Sequence, residues 1–280
     1  MNKTKMAEAM GEIDDRYVLE ADMAPARASH LTFPRAARWA VGIAALLSIS
    51  VLVPNVSSQA AETLGNLPVV GAYFRLVTFR DWDYEDASHS ASVHVENVEA
   101  DGAETGSAAA EAASNINLDM NLITDQLMTE FKAQVQADGY SALDISTDVV
   151  TDSDRYYVVK LSTFVSEADG YQESHYYTID KTTGEEVTLK SLFAGTGTDY
   201  ITAVSDEIKR QMRENHEKDS NKTYWLDDPL LGDQNFTSIT DSTQFYINAD
   251  GHLVIAFAEG DVAPMSMGEQ EFIMPNSIWK

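Results

Sequence analysis

The chain contains no cysteine in 280 residues, so disulfides and thiolate metal sites are excluded and the fold is held by its core alone. Basic side chains are scarce: 19 Lys and Arg stand against 45 Asp and Glu, a formal net charge of -26. That balance excludes nucleic acid and anionic lipid as favoured partners and steers a basic partner inward over a range set by salt. The plainer reading, that exported proteins of some organisms are simply acidic, stays open. Among His30, His89, His94, His175, His216 and His252, no pair has the i, i+4 spacing of a helical zinc site, and no metal centre is expected. Neither a G-x-S-x-G elbow nor a P-loop occurs. Asp227-Asp228 and the spaced Asp148, Asp152 and Asp154 do not match the helix-loop-helix calcium pattern, and no carboxylate pair stands out from the rest. No enzyme activity and no cofactor are expected.

The chain has one long apolar run, Trp39–Val53, and it divides the protein into a short head and a long tail. Between Ala36 and Val53 the sole charge is Arg38, which can snorkel to the interface of a bilayer that a helix of this length nearly crosses. Arg35 and Arg38 sit against the run on one side, whereas the next base on the other side is Arg75. The positive-inside bias places the N-terminus in the cytoplasm and the tail outside. In the head, six bases balance six acids, so the whole net charge belongs to the tail. The basic start is too far from the run for an ordinary signal peptide, which favours a retained anchor. Ser58-Gln59-Ala60, followed by Ala61, nevertheless has small residues at the spacing signal peptidase prefers.

Within the head, Met6, Met10, Ile13 and Tyr17 recur at helical spacing over Lys5–Ala21 and form one apolar stripe. A helix this short needs a partner for its stripe. Acidic neighbours Glu8, Glu12 and Asp15 favour a cytosolic protein over the membrane as that partner. Ala24–Pro34 reads as a linker into the bilayer.

Beyond the span, Leu64–Phe79 is dense in apolar residues but broken by Pro68 and Gly71, too short for a second crossing. It lies either at the outer interface or under the folded domain. Arg80–Val98 alternates like one strand, and the Ala, Gly and Glu of Glu99–Ser114 read as a flexible linker. A helix is expected from an Asn117 N-cap through Leu118, Ile123, Leu127, Phe131 and Val135 to a stop at Gly139. Leu143–Thr151, Arg155–Ser166 and Tyr171–Asp180 then read as an antiparallel meander. Asp199–Lys218 is the next helix, with Ile201, Val204, Ile208 and Met212 as its core stripe, followed by a polar loop holding Tyr224 and Trp225. Gln244–Asn248 and His252–Ala258 form a hairpin around Asp250-Gly251, and Glu271–Pro275 closes the sheet. A helix with an antiparallel sheet, twice over, gives an α+β class. The expected division is head 1–35, transmembrane helix 36–53, stalk and linker 54–114, and ectodomain halves 115–184 and 185–280.

Tyrosine is prominent on the strands: Tyr156-Tyr157, Tyr171, Tyr176-Tyr177 and Tyr246. Alternation places one member of each pair outward, and an acidic surface carrying tyrosine suits a basic protein ligand. Half-buried sheet positions remain the simpler reading for any single one.

Two blocks, YTIDKTTGEEVTLKSLF over Tyr177–Phe193 and FYINADGHLVIAFAEGDVAP followed by MSMGEQEFIMP up to Pro275, resemble the C-terminal domain of the RsiV-like family of lysozyme-sensing anti-sigma factors. A peptidoglycan deacetylase shares that domain, but not as its catalytic part. The resemblance implies a single-pass cell-membrane protein, an envelope-stress sensor and regulator of transcription whose head holds an extracytoplasmic-function sigma factor inactive. Ligand binding outside would then expose the stalk to signal peptidase, and an intramembrane protease would free the sigma factor. On this pattern Met6, Met10, Ile13 and Tyr17 bind the sigma factor, and Ser58, Ala60 and Ala61 form the cleavage site. Family ligand contacts lie on loops, which points to Pro264, Met265 and Ser266 in Ala263–Gly268, together with Tyr224 and Trp225. Here only the Ala263-Pro264 step follows the family pattern, a departure that leaves the expected ligand open between a basic protein such as lysozyme and a cell-wall ligand. The competing reading is a surface-anchored binding module with no sigma factor partner.

Overall fold

The computed structural model describes residues 73–280 except Asp138 and Ala168. The head stripe at Met6, Met10, Ile13 and Tyr17, the apolar run and the Ser58, Ala60 and Ala61 site lie outside the described residues. No helix among the described residues is long and apolar enough to cross a membrane.

Two strands open the described chain, β1 (Tyr73–Glu85) and β2 (His89–Asp101), paired antiparallel. The single strand expected over Arg80–Val98 is therefore a hairpin. Its turn is made by Asp86, whose Oδ1 accepts the N–H groups of Ser88 and His89, both at 2.8 Å. Those bonds and the Tyr84 hydroxyl hold the Asp86 carboxyl well below the ordinary carboxylate range. An Asx turn of this kind needs no glycine or proline.

Helix α1 (Ala108–Gln134) starts at an Ser107 cap whose hydroxyl accepts from Ala110 N at 3.4 Å. The expected linker over Glu99–Ser114 thus contains the end of β2 and the first turns of a helix. Ala109, Ala112 and Ala113 are buried there, and alanine is the strongest helix former. Residues 73–114, read as stalk and linker, are built into the first sheet and its helix. Asn117 is not a cap but sits within α1, and Gly139 lies beyond the helix end at Gln134.

The meander follows as β3 (Ser141–Asp152), β4 (Tyr156–Ser166) and β5 (Gly170–Asp180), with a two-residue β6 (Glu185–Glu186). Strand order is β1-β2-β3-β4-β5-β6. One pair departs from the antiparallel expectation: β2 and β3 run parallel from His89↔Ser141 to His94↔Ser146, with α1 as the crossover that parallel neighbours require. The helix lays Ile116, Met120, Ile123, Leu127 and Phe131 on one sheet face, against Val93, Val95, Ile145, Leu161 and Ile179.

The second core is built around α3 (Tyr200–Lys218), after a single-turn helix α2 (Leu189–Leu192). Asp199 caps α3, and Val204, Ile208 and Met212 are buried as the spacing predicts, while Ile201 is half-buried. A three-stranded antiparallel sheet, β7 (Phe245–Ile247), β8 (Leu253–Phe257) and β9 (Gln270–Ile273), completes it before the terminal turn α4 (Asn276–Trp279).

The two sheets meet. Tyr156 of β4 belongs to the second core, Val158 packs with Tyr246 and Val254, and Tyr176 stacks on Tyr246 at 4.5 Å. This corrects the tyrosine expectation. Tyr156 and Tyr246 are buried and Tyr176 is half-buried where the second sheet covers the outer face of β4 and β5, while Tyr157, Tyr171 and Tyr177 are buried in the first core, on the face that α1 covers.

Candidate functional site

The two loops expected to touch a ligand lie side by side. Trp225 N donates to Val262 O at 2.8 Å, Phe236 N donates to Trp225 O at 2.7 Å, and Thr223 N approaches Met267 Sδ at 3.3 Å. Tyr224 is half-buried, its ring tilted on Phe272 at 6.0 Å and its hydroxyl accepting from Asn215 Nδ2 at 3.2 Å. It therefore acts as packing for the loop more than as a free contact. Trp225, Pro264 and Met265 are half-buried, and Ser266 is exposed.

The loop from Ala258 to Glu269 owes its shape to glycine and to side-chain caps. Gly260 has φ +88, and a Cβ there would stand 3.2 Å from Met265 Cγ. Pro264 leads into a 3-10 turn over Met265–Met267 that Gly268, at φ +67, terminates. Gln270 Nε2 gathers the carbonyls of Met267, Gly268 and Glu269 at 2.8 to 3.1 Å. Met265 turns inward onto the first core.

This loop is clamped to the start of β5. Glu259 N donates to Gln172 O at 3.1 Å, Gln172 N donates to Glu259 Oε2 at 2.9 Å, and Gln172 Nε2 reaches Glu269 Oε2 at 3.0 Å. Further along, Tyr176 and Tyr246 both donate to the Glu271 carboxylate, at 3.1 and 3.2 Å.

Sequence reasoning missed the acid beneath the loop. Tyr171, Glu173, His175 and Tyr177 share one face of β5, the face that α1 covers, and all four are buried. Burial pushes the Glu173 carboxyl up to about 7, and Asp261 and Glu269 add repulsion. Burial alone takes the His175 imidazole down to about 4, and neither ring nitrogen has a hydrogen-bond partner among the described residues. His175 Nε2 is 3.7 Å from Glu173 Oε1. The signal was present: an acid and a histidine fall in phase with tyrosines that point into the core.

Of metal-ligating groups, Asp81, Asp83 and His94 come together on the outer face of the β1–β2 hairpin. His94 Nδ1 is 2.8 Å from Asp81 and Nε2 is 3.6 Å from Asp83, an exposed ion-pair arrangement with a carboxylate facing each ring nitrogen.

Residues 190–277 match the family described as Protein of unknown function (DUF3298), covering α3, the second sheet and both candidate loops. Over 238 residues the chain is 32% identical to the anti-sigma-V factor RsiV of Bacillus subtilis (strain 168), spanning 84% of this chain and 80% of that protein. Crystal structures of DUF3298 family members are also similar. One from Bacteroides fragilis has 13% identity and a TM-score of 0.46, covering 76% of this chain and 93% of its own. One from Pseudomonas aeruginosa has 9% identity and a TM-score of 0.49, covering 74% and 92%. On the identity and coverage shared with the Bacillus protein, the chain belongs to the RsiV-like family of anti-sigma factors.

Proposed function

We propose that this protein is a membrane-anchored anti-sigma factor whose ectodomain senses a ligand at the cell envelope. The observation that carries the reading is 32% identity, over most of both chains, with a protein named as an anti-sigma factor. Charge asymmetry about Trp39–Val53 supports a cytoplasmic head, a span over 36–53 and an outside tail. The stripe of Met6, Met10, Ile13 and Tyr17 docks the sigma factor. Ectodomain halves at 115–184 and 185–280, with β1 and β2 joined to the first, present the paired loops around Trp225 and Pro264 to a basic protein such as lysozyme. Cleavage after Ala60, then within the membrane, releases the sigma factor. Small residues at Ser58, Ala60 and Ala61 support the first cut.

The test is co-purification of the full-length chain from cells in mild detergent, with captured proteins identified by mass. An extracytoplasmic-function sigma factor is expected with the natural head and is expected to be lost with Ile13→Asp and Tyr17→Asp together. Equal capture by both chains removes the docking stripe. Capture of no sigma factor by an intact chain transfers the reading to an anchored binding module.

A further inference from the structure

A recess lies on the outer face of the first sheet, beside the end of β5 to which the loop is clamped. It is a trough of about 710 Å³ lined by Asp83, Glu85, Ser90, Ser92, Asp144 and Phe164, with Ala142 in its floor. Its shape follows from residue size across the register. Asp83 pairs with Ser92, Ser92 with Asp144, Asp144 with Phe164, and Phe164 with Gln172, so the row crosses five strands. Small side chains on β2 and β3 make the floor, while Asp83 and Glu85 on β1 and Phe164 on β4 make the walls. From β1 to β4 is three strand spacings, about 14 Å.

Phe164 is held flat. A Cβ on Gly170 would stand 2.8 Å from Phe164 Cε2, so the ring lies against the bare glycine backbone, and the side chain stays 37% exposed beside the recess. The lining contains no Lys or Arg. Glu85 and Asp144 form no ion pair among the described residues, and Asp83 faces His94 at 3.6 Å. An aromatic face with uncompensated carboxylates at its side is the environment that a desolvating ammonium or guanidinium seeks. The same carboxylates, on a chain of net charge -26, repel an anionic ligand.

Resting on the ligand reading above, we propose that this trough seats a lysine or arginine side chain of the protein ligand that docks at the 263–268 loop. Gln172 links the two places: it is the cross-strand partner of Phe164 and bonds both Glu259 and Glu269. The ligand footprint then runs from the loop across the sheet to β1, and a basic residue at its far margin is anchored by the trough.

The full-length chain in detergent is titrated at low salt with two probes, a tri-arginine peptide and lysozyme. Asp144→Asn with Glu85→Gln is expected to weaken the peptide about tenfold, and Phe164→Ala about threefold. Gly170→Ala, which displaces the ring without removing it, should match Phe164→Ala. Asp148→Asn, which removes one exposed charge from the same strand outside the trough, should leave affinity unchanged. A peptide that responds as strongly to Asp148→Asn, or ignores both ring variants, overturns the proposal, as does a glucosamine trimer that displaces the peptide and binds more tightly. Lysozyme separates the two readings. If it binds and ignores every trough variant while a loop variant weakens it, the trough fails and the loop reading stands. If it does not bind but the peptide discriminates, the trough stands and lysozyme is removed as ligand.

Discussion

The Asn117 side chain bonds both backbone groups of Val98: its Oδ1 accepts the Val98 N–H at 2.7 Å and its Nδ2 donates to the Val98 carbonyl at 2.9 Å. A side-chain amide from the middle of α1 thus completes β2 where β2 has passed the end of its pairing with β3. Both Val98 groups are part-buried at this junction. Asn117→Ala orphans a donor and an acceptor together and is expected to cost ~2–4 kcal/mol. Urea unfolding measures it, and a loss below about 0.5 kcal/mol, the scale of ordinary surface changes, refutes the role.

Glu173 predicts an unusual pH response. Its carboxyl titrates near 7 in the folded chain against an ordinary 4.5, so between these values the folded state holds more protons. Stability therefore falls as pH rises from 4.5 to 7, and the penalty is complete above 7. Glu173→Gln is expected to be more stable than the parent at about pH 8, by no more than ~3 kcal/mol. The gap should close near pH 4.5. His175, lowered from 6.5 to about 4, acts in the opposite sense, gaining stability as pH rises through that range, and is present in both chains. Paired melting curves across pH decide the matter; a gap of constant size speaks against a buried titrating acid.

Gly260 tests the loop. An alanine there is strained at φ +88 and also meets Met265. Gly195, at φ +82 with nothing within 4 Å of a built Cβ, is a matched control for backbone strain alone. Both alanine variants are expected to lose ~1 kcal/mol. Only Gly260→Ala should also weaken lysozyme capture, by about tenfold, because it moves Met265 off the first core and the 263–268 turn with it. Equal capture by the two variants removes the loop from the binding site.

The proposed cut is checked with a bulky residue in place of a small one. Ala60→Phe is expected to leave the full-length chain intact in cells exposed to lysozyme, while the parent yields a shortened tail. Identical fragments from both chains place the cleavage elsewhere.

Much of the architecture was legible locally. β3, β4 and β5 follow from alternation broken by polar turns, and α3 from the Asp199 cap and the stripe Val204, Ile208 and Met212. Failures fell where local chemistry speaks for several outcomes. Ala108–Ala113 has the composition of a linker, yet alanine is also what a helix needs to lie close to Gly184, where a built Cβ stands 3.0 Å from Ala109. Asp86 turned the hairpin without glycine. The parallel pairing of β2 with β3 depends on a partner chosen 52 residues away, from His89 to Ser141, and no local pattern encodes it. At the site, Tyr224, Trp225 and Pro264 were readable as loop residues, but their adjacency was not, nor was the second sheet that covers Tyr156 and Tyr176. Glu173 was readable in principle from its phase with Tyr171 and Tyr177.

The position of β1 at the margin of the sheet has a mechanical consequence. Its ladder with β2 begins at Tyr73↔Asp101 and runs to Glu85↔Ser90. A pull delivered through the chain at Tyr73 loads that ladder from one end, so the pairs part in turn and each moment is opposed by one rung. The parallel and antiparallel ladders of β2 through β5 lie further in, behind β1. Tension entering the described fold from its N-terminal side therefore meets β1 before any other strand, and β1 is the described strand nearest in sequence to the proposed cleavage site.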